Sequence, residues 1–275
     1  MINTPELSRV AAVIRDTADS EIMPYWLFLR PDDVREKAPG DPVTVADEAC
    51  EKALRAALRD IDPDANILGE EDPDNHARLV AELEAGAPTW VIDPLDGTRP
   101  FTMNKPGWGV QVAYCRNAMA LAGWLHDPVR GLTAAGDRQM SWLHTRFDAN
   151  HGSTALLRPD NAGETGTVGI LDDYGASPDT HAVRAHAKEL GLRFAEPAQA
   201  GIWIALEVAA GRIDAGVCTR MRPWDFLPIA GALRAAGAVV RPLTANAFDM
   251  SGGGNDVLIA RTQKAADTLC PRGQA

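Results

Sequence analysis

The triplet Trp90-Val91-Ile92 runs directly into Asp93-Pro94-Leu95-Asp96-Gly97-Thr98. An apolar run this short, closed by proline and glycine, reads as a buried strand that ends in a sharp change of direction. Such a strand carries acids out of the core on a turn. Asp93 and Asp96, three positions apart, can then converge on one point. Unpaired carboxylates crowded together repel, so a chain that gathers them usually neutralises them with a cation. Oxygen-only ligands favour a hard ion such as Mg²⁺ over zinc. The amides of Gly97 and Thr98 lie where a helix can begin, a natural seat for phosphate. Cation and phosphate at one turn point to phosphoryl chemistry.

Three other segments complete the picture. Asp41-Pro42-Val43-Thr44-Val45-Ala46-Asp47 and Ile67-Leu68-Gly69-Glu70-Glu71-Asp72 lie upstream, and Pro223-Trp224-Asp225 lies far downstream. In that order they resemble the pattern of the inositol monophosphatase family: D-x-V-T-x-x-D, then G-E-E, then D-P-[LI]-D-G-T, then W-D. This family belongs to a wider group of Mg²⁺-dependent, lithium-sensitive phosphatases that includes fructose-1,6-bisphosphatase and phosphoadenosine phosphatase. The resemblance spans roughly residues 8 to 260, and four ordered motifs make it specific.

It implies a layered α/β sandwich, α/β/α/β/α, and two or three Mg²⁺ ions per subunit. The first ion is held by Glu70, Asp93 and the Leu95 carbonyl. The second is bridged by Asp93 and completed by Asp96 and Asp225, with Asp96 and Asp225 also facing the substrate. Thr98 orients the attacking water and passes its proton to Asp47, and Glu70 is a second acceptor. Read without the family, Thr98 caps a helix and Asp47 is a solvated acid at a helix start. Lys37 matches a lysine that approaches the metal or phosphate, and is equally readable as a surface lysine. Glu71 supports the site without being a direct ligand. Phosphate lies against the Gly97 and Thr98 amides.

The match departs from the family where substrate choice is expected, around residues 198–223. The slot for Gly-Ser/Thr-Ala-Ala holds Gln199-Ala200-Gly201-Ile202. Seven positions before Asp225, inositol-active relatives carry an acid; here the residue is Cys218. Arg220 and Arg222 stand nearby, either recognising a second anionic group or lying on the surface. The implied reaction is hydrolysis of a small phosphate ester, inositol-phosphate-like or a sugar phosphate. Fructose 1,6-bisphosphate, phosphoadenosine phosphate and histidinol phosphate are alternatives, as is a non-catalytic metal-binding regulator with this fold.

Composition narrows the remaining classes. A net charge of −11 disfavours nucleic-acid binding, yet leaves room for an anionic substrate because bound Mg²⁺ reverses the local field. No apolar run is long enough for a membrane span, and Met1–Leu7 lacks a signal-peptide pattern. Cys50, Cys115, Cys218 and Cys270 are scattered, which fits reduced thiols in the cytoplasm. A homodimer is expected from the resemblance alone.

Element periodicities predict an amphipathic helix over 5–28, a loop over 31–42, and a helix from Thr44 to about Asp60. Short strands at Asn66–Leu68 and Trp90–Ile92 flank a helix near 77–85. An antiparallel meander follows over 107–135. The second half reads as strands at 167–171, 213–217, near 239 and at 257–260. Its helices run over 180–191, 202–211 and 225–237. Gly252-Gly253-Gly254 reads as a turn. The expected division is an N-terminal sublobe, 1–152, carrying most ligands, and a C-terminal one, 153–275, carrying Asp225 and the specificity region.

Overall fold

Thr44 ends a strand and starts a helix in one step. Its extended backbone lets the side chain accept from the Ala46 N–H at 3.1 Å, and Asp47 accepts in turn from the Thr44 N–H at 2.8 Å. In the computed structural model, residues 4–72, 75–146, 153–157, 164–171, 177–195, 200–244, 247–251 and 254–270 are described. Gln199, Gly252 and Gly253 lie outside them. The first half comprises α1 (Thr4–Thr17), the hairpin β1 (Val34–Ala38) and β2 (Asp41–Thr44), α2 (Val45–Arg59), β3 (Asn66–Gly69), α3 (His76–Glu84), β4 (Thr89–Asp96) and the short α4 (Thr98–Thr102). The meander is β5 (Gly109–Arg116), β6 (Met119–Asp127), β7 (Leu132–Gly136), β8 (Ser141–Thr145) and β9 (Ser153–Leu156). Then come β10 (Thr167–Leu171), α5 (Pro178–Glu189), β11 (Arg193–Phe194), α6 (Gly201–Ala209), β12 (Ala215–Met221), α7 (Pro223–Leu233), β13 (Val239–Pro242), β14 (Asn255–Ala260) and α8 (Gln263–Leu269).

Strands β3 to β9 line up in sequence order as a seven-stranded sheet. A five-stranded sheet has the order β11-β10-β12-β14-β13. Alternation along β4 and β5 decides which residues face which layer. Trp90, Ile92, Val110 and Val112 pack against Leu7, Val10 and Ile14 of α1 and Leu54 and Leu58 of α2. Helices α6 and α7 fill the space between the sheets. Ile202, Ile204, Leu206, Ile229 and Leu233 meet Leu125 and Leu132 on one side and Val257 and Ile259 on the other. On the outer face of the small sheet, Val168, Val217 and Leu258 meet Val183 of α5 and Ala266 and Leu269 of α8. The result is the five-layer α/β/α/β/α sandwich. The contact between α7 and β6 is close enough to require glycine. A Cβ on Gly123 would lie 2.1 Å from the Pro228 carbonyl oxygen, and one on Gly231 would lie 2.6 Å from the Ala122 carbonyl carbon.

The structure corrects several element boundaries. The first helix stops at Thr17 and passes through one π turn, Ala18–Ile22, because Pro24 has no N–H to continue the ladder. The expected loop over 31–42 contains the β1–β2 hairpin, which reverses at Gly40 with φ +79°. Its strand β1 is largely exposed and so shows no apolar alternation. Helix α7 begins at Pro223, two residues early, since proline suits the first helical position. Strands β8 and β9 extend the meander beyond 135. Although β9 lies past residue 152, it hydrogen-bonds to β8 in the large sheet.

Candidate active site

Strand β4 does not end at Ile92. It continues to Asp96, and the pairing shows how: Asp93 opposes Gln111, while Asp96 opposes Gly109. Three steps along β4 match two along β5, so β4 carries one extra residue, a β-bulge. In a regular strand, positions three apart face opposite sides; the bulge returns them to the same side. Pro94 is tolerated there because a bulge leaves a residue out of the ladder. Gly97 then turns the chain with φ +91°. A Cβ at Gly97 would meet the Cβ of Ala200 at 2.9 Å and that of Trp108 at 3.1 Å. Behind the turn, Phe101 and Trp108 pack edge to face at 4.9 Å, with Trp26 against Trp108 at 5.7 Å.

The third acid arrives on another element. Asp225 occupies the first turn of α7 and accepts from the Arg222 N–H at 2.6 Å, a position that the helix dipole favours for a carboxylate. One oxygen each from Asp93, Asp96 and Asp225 lies within 4.8 Å of the others. Asp93 also accepts from the Leu95 N–H at 3.0 Å. Asp96 accepts from the Ile202 N–H at 2.5 Å, a donor from the start of α6 that no side-chain pattern could have indicated. The carboxyls of Asp93 and Asp225 lie close enough for each to influence the titration of the other.

Beside this trio, the Thr98 hydroxyl lies 3.0 Å from Asp47 Oδ1 and 3.1 Å from the Leu95 carbonyl oxygen. Asp47 Oδ2 accepts from the Thr44 N–H and, at 2.5 Å, from the Thr44 hydroxyl. Thr98 and Asp47 are thus brought together, as the family resemblance implied. Glu70 is not one of the three converging acids. Its carboxylate ion-pairs with Lys37 at 2.7 Å, and Glu71 pairs with the same ammonium at 2.9 Å. Lys37 reaches both from the β1–β2 hairpin, which explains why a loop reading could not fix its place.

Burial and mutual repulsion shape the titration of this region. Burial pushes Asp93 and Asp225 well above the ordinary carboxylate range, and neighbouring Glu70 and Asp96 add to the shift. Asp96 rises from 3.8 to about 7, through burial, against the Ile202 N–H that lowers it and with the charge of Glu70 that raises it. Asp47 rises to about 6, again through burial, although its bonds from Thr44 pull it down. Glu71 rises to about 8, through burial and then the charge of Glu70. For Lys37, burial works against the charge, but Glu70 and Glu71 outweigh it and hold the ammonium above its usual range. Several acids held partly protonated around one point form a site whose charge a hard cation would relieve. The donor set fits such an ion.

The specificity residues lie on β12 and its exit. Cys218 is fully buried. It lies near Gly201 and Asp96, since a Cβ built on Gly201 would be 3.9 Å from the Cys218 sulfur and 3.5 Å from Asp96 Oδ2. Arg220 is exposed and held in the left-handed region, φ +57°, with its N–H donating to Asp256 Oδ1 at 3.2 Å. The pairing of β12 with β14 slips between Cys218 and Met221. Arg222 is exposed at the start of α7. Among the described residues, no helix is long and apolar enough to cross a membrane.

Comparison with known proteins agrees with this geometry. The chain is 24% identical over 255 residues to the bifunctional phosphatase IMPL2, chloroplastic, of Arabidopsis thaliana, covering 90% of this chain and 68% of that protein. It is 28% identical over 237 residues to a fructose-1,6-bisphosphatase/inositol-1-monophosphatase of Thermotoga maritima, covering 82% of each. The solved structure of a Thermotoga maritima IMPase matches the fold with a TM-score of 0.72 at 20% identity, covering 97% of both chains. A sequence profile described as the inositol monophosphatase family matches residues 7–273. This chain belongs to the inositol monophosphatase family.

Proposed function

We propose that the chain is a Mg²⁺-dependent phosphomonoesterase that hydrolyses a small phosphate ester by direct attack of water on phosphorus. The observation that carries this reading is the convergence of Asp93, Asp96 and Asp225 within 4.8 Å, with the Thr98–Asp47 hydrogen bond beside them. Those three carboxylates, the Leu95 carbonyl and Glu70 would hold two or three ions. Mg²⁺ in this place would supply Lewis-acid charge to phosphoryl oxygens and make water a stronger nucleophile near neutral pH.

The chain's own groups do the rest. Thr98 orients the water and passes its proton to Asp47 Oδ1, while the Thr44 bonds fix the other oxygen. A base near pKa 6 suits proton transfer near neutral pH. Glu70 is a second acceptor. The Gly97 and Thr98 amides bind phosphate oxygens, and Asp96 and Asp225 orient the alcohol portion. As oxygen bonds to phosphorus, the ester P–O bond breaks and the leaving alkoxide takes up a proton. The phosphatase names of the relatives disfavour a purely regulatory role.

Specificity follows from what is missing. Cys218 stands where an acid would accept inositol hydroxyls, and a buried thiol is a weak partner. A pocket without that acceptor discriminates poorly among polyols. The reading therefore gives myo-inositol 1-phosphate a modest rate and favours an ester with a second negative charge, met by Arg220 or Arg222. A phosphate-release screen over inositol, sugar, nucleotide and histidinol phosphates, in Mg²⁺ and in chelator, tests it. Mg²⁺-dependent, Li⁺-inhibited release is expected, with KM for the dianionic ester raised in Arg220→Ala. Release from every ester that ignores chelator would refute the metal reading, and myo-inositol 1-phosphate leading the screen would refute the specificity. We further propose a cytoplasmic homodimer whose chains each have two sublobes, the N-terminal one running past residue 152 to include β9.

A further inference from the structure

His76 opens α3 and touches two acid-bearing segments while contributing no acid of its own. Its Nε2 lies 2.7 Å from the Gly69 carbonyl oxygen. A carbonyl can only accept, so Nε2 carries the proton in this contact. The imidazole packs against the Trp224 indole, with centroids 4.7 Å apart and planes at 42°. Gly69 ends β3 and immediately precedes Glu70; Trp224 lies in the first turn of α7 and immediately precedes Asp225. One side chain therefore ties together the neighbours of two acids that come from distant parts of the sequence.

The setting makes this tie stiff. Beneath it, Leu79 and Leu83 of α3 share an apolar cluster with Leu68 of β3, Val91 of β4 and Leu227 of α7, with Trp224 and Phe226 packed against it. The ring contact and the hydrogen bond are both half-buried, where a polar contact gains strength from reduced competition with water. The other restraints on the two acids act on each one separately, including the bond from the Glu70 N–H to the Ile92 carbonyl of β4 at 3.1 Å. Asp225 is held by the Arg222 N–H and Glu70 by Lys37.

We infer that His76 is a positioning residue for the acid centre: by joining Gly69 to Trp224 it sets the spacing of Glu70 from Asp225, and thereby the affinity for Mg²⁺. This rests on the metal-dependent reading above. Residues that stand behind metal ligands in this way commonly change metal affinity by about ten-fold or more when removed.

The test is Mg²⁺ binding by calorimetry on the full chain, together with the melting temperature in chelator, for the parent and three variants. His76→Ala removes both contacts, His76→Gln keeps a side-chain N–H donor, and His76→Phe keeps the ring. His76→Ala should bind Mg²⁺ about ten-fold more weakly, with Gln and Phe each recovering part of the loss. The Mg²⁺ concentration for half activation should shift in parallel, while substrate KM at saturating Mg²⁺ stays within about two-fold. Should the alanine variant fail to fold, a weakened affinity in both Gln and Phe supports the inference. Parent-like affinity in the folded variants overturns it. So does a loss that merely tracks the fall in melting temperature. A parent that binds no Mg²⁺ overturns the metal reading itself, and this inference with it.

Discussion

Thr98 has two acceptors within reach and a single hydroxyl proton to offer. If it serves Asp47 during turnover, then Thr98→Ala and Asp47→Asn should each lower kcat by about 100-fold or more, the usual scale of a lost proton-transfer group. Thr98→Ser should keep most of the rate. Steady-state phosphate release from purified variants measures this, and a parent-like kcat in Asp47→Asn would refute the relay. Titration offers a second test. Asp96 in the fold sits near 7 against an ordinary 3.8, so the folded chain binds that proton more tightly than the unfolded chain. Its contribution to stability is present below about pH 4 and lost as pH rises through about 7. Asp47 acts in the same direction up to about 6. Mg²⁺ binds the deprotonated acids, so its stabilising effect grows over the same interval. Melting curves in Mg²⁺ and in chelator should therefore diverge as pH rises from about 5 to about 7.5; a constant gap would contradict this. At this scale the acids were legible because carboxylates on a turn have few other reasons to cluster. The Ile202 N–H on Asp96 was not, since a main-chain donor carries no residue signature.

The bulge in β4 shows what periodicity can and cannot reveal at the scale of elements. Pro94 reads as the end of a strand, and only the pairing with Gln111 and Gly109 shows that the strand goes on with one residue added. The hairpin β1–β2 was illegible for a different reason: β1 is exposed from Arg35 to Ala38 and its charged residues offer no apolar alternation. Buried helices were easier, as in α2, where Leu54 and Leu58 lie one turn apart on the core side. The seating of α7 on β6 yields a prediction. Gly231→Ala would place a methyl 2.6 Å from the Ala122 carbonyl carbon, and overpacking of this kind costs about 1–3 kcal/mol. The melting temperature should fall by several degrees, and Mg²⁺ affinity should weaken because α7 carries Asp225. An unchanged melting temperature would show that α7 shifts away without cost.

The five layers explain why the centre lies where it does in the whole molecule. One carboxylate pair leaves the large sheet at the end of β4, and the third acid starts a helix that fills the space between the sheets. The site thus depends on both sheets being docked, which a reading of single segments could only infer from motif order. The layer order was legible through the family pattern. The substrate was not, because Cys218 and the Gln199-Ala200-Gly201-Ile202 slot depart from that pattern. The most direct measurement is phosphate release by Asp93→Asn at saturating Mg²⁺, alongside its melting temperature in chelator. Asp93 is the buried member of the three converging acids, so turnover should fall by orders of magnitude while the metal-free fold melts no lower than the parent. Turnover close to that of the parent would contradict a cation centre built on Asp93, Asp96 and Asp225.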